Sequence, residues 1–583
     1  MRLSNKTTNI LAAAMLATMV VLTFGAMIGD SLTMDEKAHL PAGYSYVTQK
    51  DMRLNPEHPP LVKDMAGTPL LFIKNIHFPY DSPAWTSQVN SQWDFGEALL
   101  FNSNNPADEM IFWGRLPMII FLLVLGFYLF YWTRQLFGKT AALIALSLFC
   151  FSPTFLAHGH LVTTDTAAAA GIFISLYYFV KALQKPSGKN IVYSGIALGI
   201  AELLKFSAIL LYPFFFLMTL GCWIIKQLDF KSALKLLAGV YVICFLLIGA
   251  VYIFHTANYP PQRQAADSAF ILSSSSSRTA ANLIIWAADK PILRAYAQYF
   301  LGVMMATQRV EGGNTTYFLG QVSGGGWKNY FPIMYFAKET VVFHLLTFIA
   351  LIYLLSKIKI KKSSNLPLCW KNLTDFIKKY LPQMTILGFL LVYWLASLCG
   401  NLNIGVRHLI PVLPLTMILV AGGAAAFADN IRWRRILIAL LCLCQIVGAL
   451  RAYPHYLSYY NILVGGSENG YKIAVDSNTD WGQDLKRLKH WVDQNNIQTI
   501  YIDYFGGANV KYYFDGKYQS WWCDRSPDQL PKNSWLAVSA TFLQGGRGTP
   551  APESDIKGGC YRWLDNYQPA TVIGNSIFVY HIQ

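Results

Sequence analysis

Two acids stand side by side, Asp35 and Glu36, just after the first hydrophobic run. They lie in DSLTMDEKAHLPAGYSYVTQKDMRLNPEHPPL, which also carries Glu57 and His58 ahead of a Pro-Pro turn. Carboxylates at the edge of a hydrocarbon slab are penalised unless they have partners or a use. The stretch is therefore read as the floor of an active site. Further ionisable residues recur near the ends of apolar runs: Arg53 and Lys63 in the same loop, His158, His160 and Asp165, Glu202 and Lys205, Lys328 and Lys338 around GWKNYFPIMYFAKE, and Arg407 with His408 in NLNIGVRHLIP. Asp165 alone reads equally well as a helix cap. Arg407 is a cation in an otherwise apolar sequence and calls for an anion, with a snorkelling interface arginine as the other reading. A rim with carboxylates at one end and Arg, Lys and His at another suits a substrate that is anionic at one point and needs a base elsewhere.

Membrane helices must position these residues. The chain has 583 residues, 54% hydrophobic and 14% charged, with a mean hydropathy of +0.33, which is more apolar surface than one water-soluble core needs. A helix crossing ~30 Å of hydrocarbon takes about 20 apolar residues. Candidates run near 9–29, 112–132, 140–157, 165–183, 190–204, 207–225, 234–254, 332–355, 384–400, 408–427 and 434–450, about eleven spans by that length rule. The first is read as an anchor, since its apolar run is long and no clean small-x-small cleavage site precedes the acid pair. The pair 190–204 and 207–225, with Glu202 and Lys205 between them, also reads as one bent hairpin that never fully crosses.

The net charge of +15 could suggest nucleic acid, but its distribution decides otherwise. Short loops holding Arg2 and Lys6, Arg134 and Lys139, Lys181, Lys185 and Lys189, Lys226, Lys231 and Lys235, the Lys357 to Lys379 cluster, and Arg432, Arg434 and Arg435 contain 20 bases and three acids. Residues 30–111 contain five bases and 11 acids. The excess is a topology signal that places the N-terminus in the cytoplasm and residues 451–583 on the opposite side. The expected plan is a polytopic α-helical membrane module over 1–450, with outer loops 30–111 and 255–331, and a small extracytoplasmic α/β domain over 451–583. Trp85, Trp93 and Trp113 suit an interface belt in the first loop, whose apolar patches look like surface-lying helices. The second is rich in Ser and Gly (SSSSS at 273–277, GGG at 324–326) and is expected to be mobile in part. Six cysteines in apolar runs read as small hydrophobes. Cys523 and Cys560 lie in the outer domain, where a disulfide is open to them.

Several of these stretches, in order, carry a resemblance. MDEKAHLPAGYSY with NPEHPPLVKDMA, GHLVTTDTA, YFLGQVSGGGWKNYFPIMYFAKET, NIGVRHLIPVLPL, and YPHYLSYYN with DSNTDWGQDLKRL resemble the bacterial protein O-mannosyltransferase-like glycosyltransferases, GT-C-type membrane enzymes of the dolichyl-phosphate-mannose-protein mannosyltransferase family. The resemblance runs from residue 1 to about 490. It implies Asp35 as the catalytic acid with Glu36 beside it, Asp165 as the second acid, and a polyprenyl-phosphate sugar as donor. It also implies Arg407, with His408, Lys205 and Lys338 as further candidates, at the donor phosphate. Some GT-C enzymes use a divalent metal, Mg or Mn, and Glu57 and His58 are the candidates here for a metal or for the acceptor. The β-trefoil domain of the eukaryotic protein mannosyltransferases has no counterpart in these loops, which weighs against a protein acceptor and leaves glycan or lipid hydroxyls beside it.

On this reading the chain sits in the bacterial inner membrane and inverts the configuration of the sugar it moves. Arg407 steadies the departing phosphate while Asp35 draws the proton from the incoming hydroxyl. A lipid-linked sugar flippase or a secondary transporter is the competing class, though no internal half-repeat of the kind transporters show is present. A scaffold reading predicts no penalty for neutralising Asp35.

Overall fold

The computed structural model describes residues 4–357, 366–552 and 558–583, the side chains of 366–371 excepted. Arg2, Lys359, Lys361 and Lys362 of the basic loops lie outside the described residues. Among those described, seven helices are long and apolar enough to cross a membrane: Asn5–Gly29, Ala107–Cys150, Asp165–Gln184, Phe206–Ile224, Phe230–His255, Leu381–Cys399 and Arg432–Ala452. Ala107–Cys150 holds 44 residues, or ~66 Å at 1.5 Å each, twice the hydrocarbon thickness. It breaks at Gly138, whose φ of 86° an L side chain rarely adopts, so the spans expected at 112–132 and 140–157 become two helices meeting there.

Two expected spans come out differently. Residues 332–355 are no single rod: Tyr330–Lys338 and Val341–Lys357 meet at 107°. Residues 190–204 form the helix Gly188–Leu204, which is too short to count with the seven and is packed between Asp165–Gln184 and Phe230–His255. A further apolar helix, Val412–Ala428, is 17 residues long. The count of eleven crossings is therefore not reproduced. What is present is a polytopic helical body whose apolar residues form one continuous buried core.

The two long loops expected outside the membrane are structured. Residues 30–111 carry Met34–Gln49, Leu61–Gly67 and several shorter helices. Residues 255–331 fold into Pro261–Ile271, Arg278–Ala287 and Leu293–Gly312, then a hairpin of β1 (Thr316–Phe318) and β2 (Gln321–Ser323). The serine run is only the connector between the first two of these helices.

Beyond residue 452 the chain first runs in irregular turns along the membrane module, then enters the α/β unit through the helix Leu485–Gln494. Its strands are β3 (Ile500–Asp503), β4 (Tyr518–Ser520), β5 (Ser534–Ser539), β6 (Thr549–Pro550), β7 (Thr571–Ile573) and β8 (Ile577–Ile582). The main sheet has the order β4-β3-β5-β8-β7, with β3 parallel to both neighbours and β8 antiparallel to β5 and β7. β6 instead extends the hairpin, parallel to β2. Cys523 and Cys560 are joined, with Cα atoms 5.5 Å apart.

Candidate active site

The first helix stops at Asp30, and Thr33 caps the next helix, Met34–Gln49. Successive helical residues point ~100° apart, so Asp35 and Glu36 face different surroundings. Glu36 turns inward and is fully buried. Its Oε2 accepts from Thr33 N and Oγ1, both at 2.9 Å, and its Oε1 from Val162 N at 3.0 Å. Arg115 donates to both oxygens, Nε to Oε1 at 2.8 Å and Nη2 to Oε2 at 2.6 Å. Burial alone would raise the Glu36 pKa, but Arg115 and the backbone donors outweigh it and hold the carboxyl below its ordinary range. Glu36 is thus a latch for the helix start and does not line the cavity.

Asp35 points the other way, into a cavity of about 410 Å³. Its Oδ2 accepts from Arg407 Nη1 at 2.5 Å. The same nitrogen lies 3.6 Å from Asp165 Oδ2, and Asp165 Oδ1 accepts a short bond from Lys205 Nζ. Lys205, Asp165, Arg407 and Asp35 therefore form a line of alternating charge, with Asp165 buried and Arg407 nearly so. Asp165 opens its helix, but no side chain caps it. Burial disfavours the Arg407 cation, yet Asp35 and Asp165 more than compensate and hold its pKa above the ordinary value.

Arg407 is placed by the turn Val406–Leu409 and by residues 477–481 against it. Asn478 Oδ1 accepts from Val406 N at 2.9 Å, Ser477 Oγ donates to Ile404 O at 2.5 Å, and the guanidinium lies 4.3 Å from the centre of the Trp481 ring. A Cβ on Gly405 would fall 2.1 Å from Ser477 Oγ, so a side chain there would displace that hydroxyl from its bond to Ile404 O. Arg407 Nε is buried with no partner.

Glu57, His58 and His408 line the same cavity. Gln92 Nε2 donates to Glu57 Oε1 at 2.9 Å. Lys63, expected at the rim, is instead fully buried and holds the NPEHPP loop from beneath, donating to Asn55 O, Asn55 Oδ1 and His58 O at 2.8, 3.0 and 2.7 Å. Burial, then His39, Lys63 and Lys205, push the His58 pKa well below its ordinary value. Burial, then Lys205 and Arg407, do the same to His408, whose Nε2 is buried and unpartnered. Both shifts favour the neutral ring, and the cations of the cavity are Arg407 and Lys205, paired with the acids, and Arg309 on its wall. Among the described residues no three of His, Cys, Asp and Glu are grouped to hold a metal ion. Lys338 is set apart from the cavity: its Nζ donates to Leu457 O at 2.8 Å and Asn478 O at 2.5 Å, and sits 4.5 Å from the Tyr460 ring centre.

Sequence reasoning passed over Trp481, Arg115, Arg309 and Tyr393. Trp481 stood inside a motif already singled out, and Arg115 is a charge at the start of an apolar run, so both left a signal. Arg309 and Tyr393, which line the cavity, left none.

The fold and this cavity define a polytopic membrane protein with a charged pocket at the ends of its helices. Residues 107–254, about a quarter of the chain, match the family model described as dolichyl-phosphate-mannose-protein mannosyltransferase. Over that stretch the chain is similar to this family, in line with the motifs set out above. Among solved structures it is similar to the oligosaccharyltransferase AglB of Archaeoglobus fulgidus in complex with an inhibitory peptide and a dolichol-phosphate (11% identity, 90% of this chain and 69% of that one, TM-score 0.45). It is also similar to apo ArnT of Cupriavidus metallidurans (12% identity, 97% of each chain, TM-score 0.32) and to the protein O-mannosyltransferase Pmt1-Pmt2 complex of S. cerevisiae bound to the sugar donor (16% identity, 44% of this chain and 34% of that one, TM-score 0.31). No curated protein matches it in sequence.

Proposed function

We propose that the protein moves a monosaccharide from a polyprenyl-phosphate donor to a hydroxyl on a glycan, lipid or protein, with inversion, at the outer face of a bacterial inner membrane. One observation carries the reading: Asp35 and Arg407, 372 residues apart in the chain, meet at 2.5 Å in one cavity. The basic loops on the N-terminal side support a cytoplasmic N-terminus, and the Cys523–Cys560 bond supports an extracytoplasmic C-terminal domain.

The donor phosphate enters beside Arg407 and Lys205 and competes with Asp35 and Asp165 for them. That competition frees the Asp35 carboxylate. Asp35 then takes the acceptor hydroxyl proton as the hydroxyl oxygen attacks the anomeric carbon. The bond from that carbon to the phosphate oxygen breaks, its electron pair stays on the phosphate, and the added charge falls beside the two cations. Asp165 keeps Arg407 and Lys205 oriented for that moment. A single displacement of this kind inverts the anomeric centre.

Asp35→Asn tests the reading, with release of sugar from labelled polyprenyl phosphate as the readout. Asparagine keeps the volume and an acceptor for Arg407 but cannot take the proton, so turnover is expected to fall by roughly 100-fold or more. Wild-type turnover in this variant would remove Asp35 from the chemistry.

A further inference from the structure

The three outer helices Pro261–Ile271, Arg278–Ala287 and Leu293–Gly312 have three unlike sides. Their inner faces close on a small core of Leu272, Ala281, Ile284, Ala297 and Leu301. Their polar side is tied down: Arg263 donates to the carbonyls of Trp85, Thr86 and Gln88, and Arg294 Nε to Gln264 Oε1 at 2.9 Å. The remaining side bears Phe270, Leu283, Trp286 and Ile292, each 57 to 68% exposed. Ile292 is also held at φ 65°, a costly conformation for a β-branched residue. An apolar patch of this kind in water marks an interaction surface.

Its depth identifies the occupant. Tyr296, near the start of the third helix, stacks on Phe245 with ring centres 4.1 Å apart and planes within 6°. A Cβ on Gly249 would fall 2.2 Å from Tyr296 Oη. Phe245 and Gly249 belong to the membrane-crossing helix Phe230–His255 and lie about 15 and 9 Å along its axis from the His255 end. The patch therefore begins beside the span, inside its outer end, and continues the exposed face of Val242, Phe245, Leu246 and Ile253. The third helix then carries Val303, Ala306, Thr307, Arg309 and Val310 onto the wall of the cavity.

We propose that residues 261–300 form a wedge seated in the outer leaflet, and that the third helix is the lateral wall past which a lipid-borne substrate reaches the cavity. The seating stands on geometry alone, while the path rests on the glycosyltransferase reading. Bilayers of ordinary and tail-brominated phosphatidylcholine test the seating, because the fluorescence difference between wild type and Trp286→Phe reports Trp286 alone. Brominated tails are expected to roughly halve that difference while aqueous iodide leaves it unchanged. Quenching by iodide and not by bromine, the result for a protein-docking surface, would overturn the wedge.

The path is tested by the double variant Leu283→Asp/Trp286→Asp. Its KM for a long-chain polyprenyl-phosphate sugar in vesicles is expected to rise about tenfold, with kcat and the KM for a short-chain, water-soluble donor unchanged. An equal loss on both donors, or no loss on either, would overturn the path. Wild-type protein inactive on every such donor would instead strike at the glycosyltransferase reading and leave the quenching result standing.

Discussion

At the scale of single residues, the site is a charge-balanced line, Lys205–Asp165–Arg407–Asp35, most of it out of water. Removing one member strands its partners in a low dielectric, which costs more than the pair was worth. Arg407→Ala should therefore lower kcat/KM for the donor by roughly 100-fold or more, ~3 kcal/mol, while Arg407→Lys, a point charge without the planar fork over Trp481, should lose about tenfold. Equal values for alanine, lysine and wild type would show that the guanidinium does not meet the phosphate. Residue types in the sequence were enough to name seven groups that line or border this cavity: Asp35, Glu57, His58, Asp165, Lys205, Arg407 and His408. Types say nothing of faces, however. That is why Glu36, one position from Asp35, and Lys338, beside a helix break, read as site residues and are saturated elsewhere by Arg115 and by backbone carbonyls.

At the scale of elements, the start of Met34–Gln49 aims Asp35, and Glu36 holds its own cap, Thr33, and ties that start to two other segments at Arg115 and Val162. Glu36→Gln keeps the shape but leaves Arg115 buried without its counter-ion. It should lower stability by ~3 kcal/mol, seen as a fall in Tm, while the molecules that remain folded keep the wild-type donor KM because residue 36 does not reach the cavity. A raised donor KM with an unchanged Tm would place Glu36 in the site after all. Apolar runs made most of the long helices legible, since length and hydropathy are local properties. The 107° break before Val341 was not, because a hydropathy window averages across a bend, and the Lys338–Glu339–Thr340 break adds only two charges to it. The helices of 261–312 were hidden for a related reason: their amphipathic pattern is diluted by the serine connector, which drew the reading toward a mobile loop.

At the scale of the whole molecule, the C-terminal domain is clamped onto the site rather than tethered to it. Ser31 Oγ accepts from Lys486 N at 2.7 Å, Arg487 pairs with Asp30 at 2.8 Å, and a Cβ on Gly507 would fall 2.2 Å from Thr33 O. These contacts grip the chain just ahead of the Asp35 helix start. Asp480, one residue before Trp481, ties the same domain to the Arg407 turn: its Oδ2 accepts from Thr541 N at 2.9 Å, and its Oδ1 is buried with no partner. Burial pushes the Asp480 carboxyl up to about 8, against the pull of Thr541. The docked state thus holds a proton that the unfolded chain, with an ordinary carboxyl near ~4, has released. Stability from this group is full below pH ~4, falls as pH rises toward about 8, and changes no further above that. Asp480→Asn carries no such proton, so plotting Tm against pH should give a wild-type curve that declines from pH 5 to 8 more steeply than the variant's. Parallel curves would mean that Asp480 is ionised in the folded protein, and that the clamp between the domain and the Arg407 turn is held by charge instead.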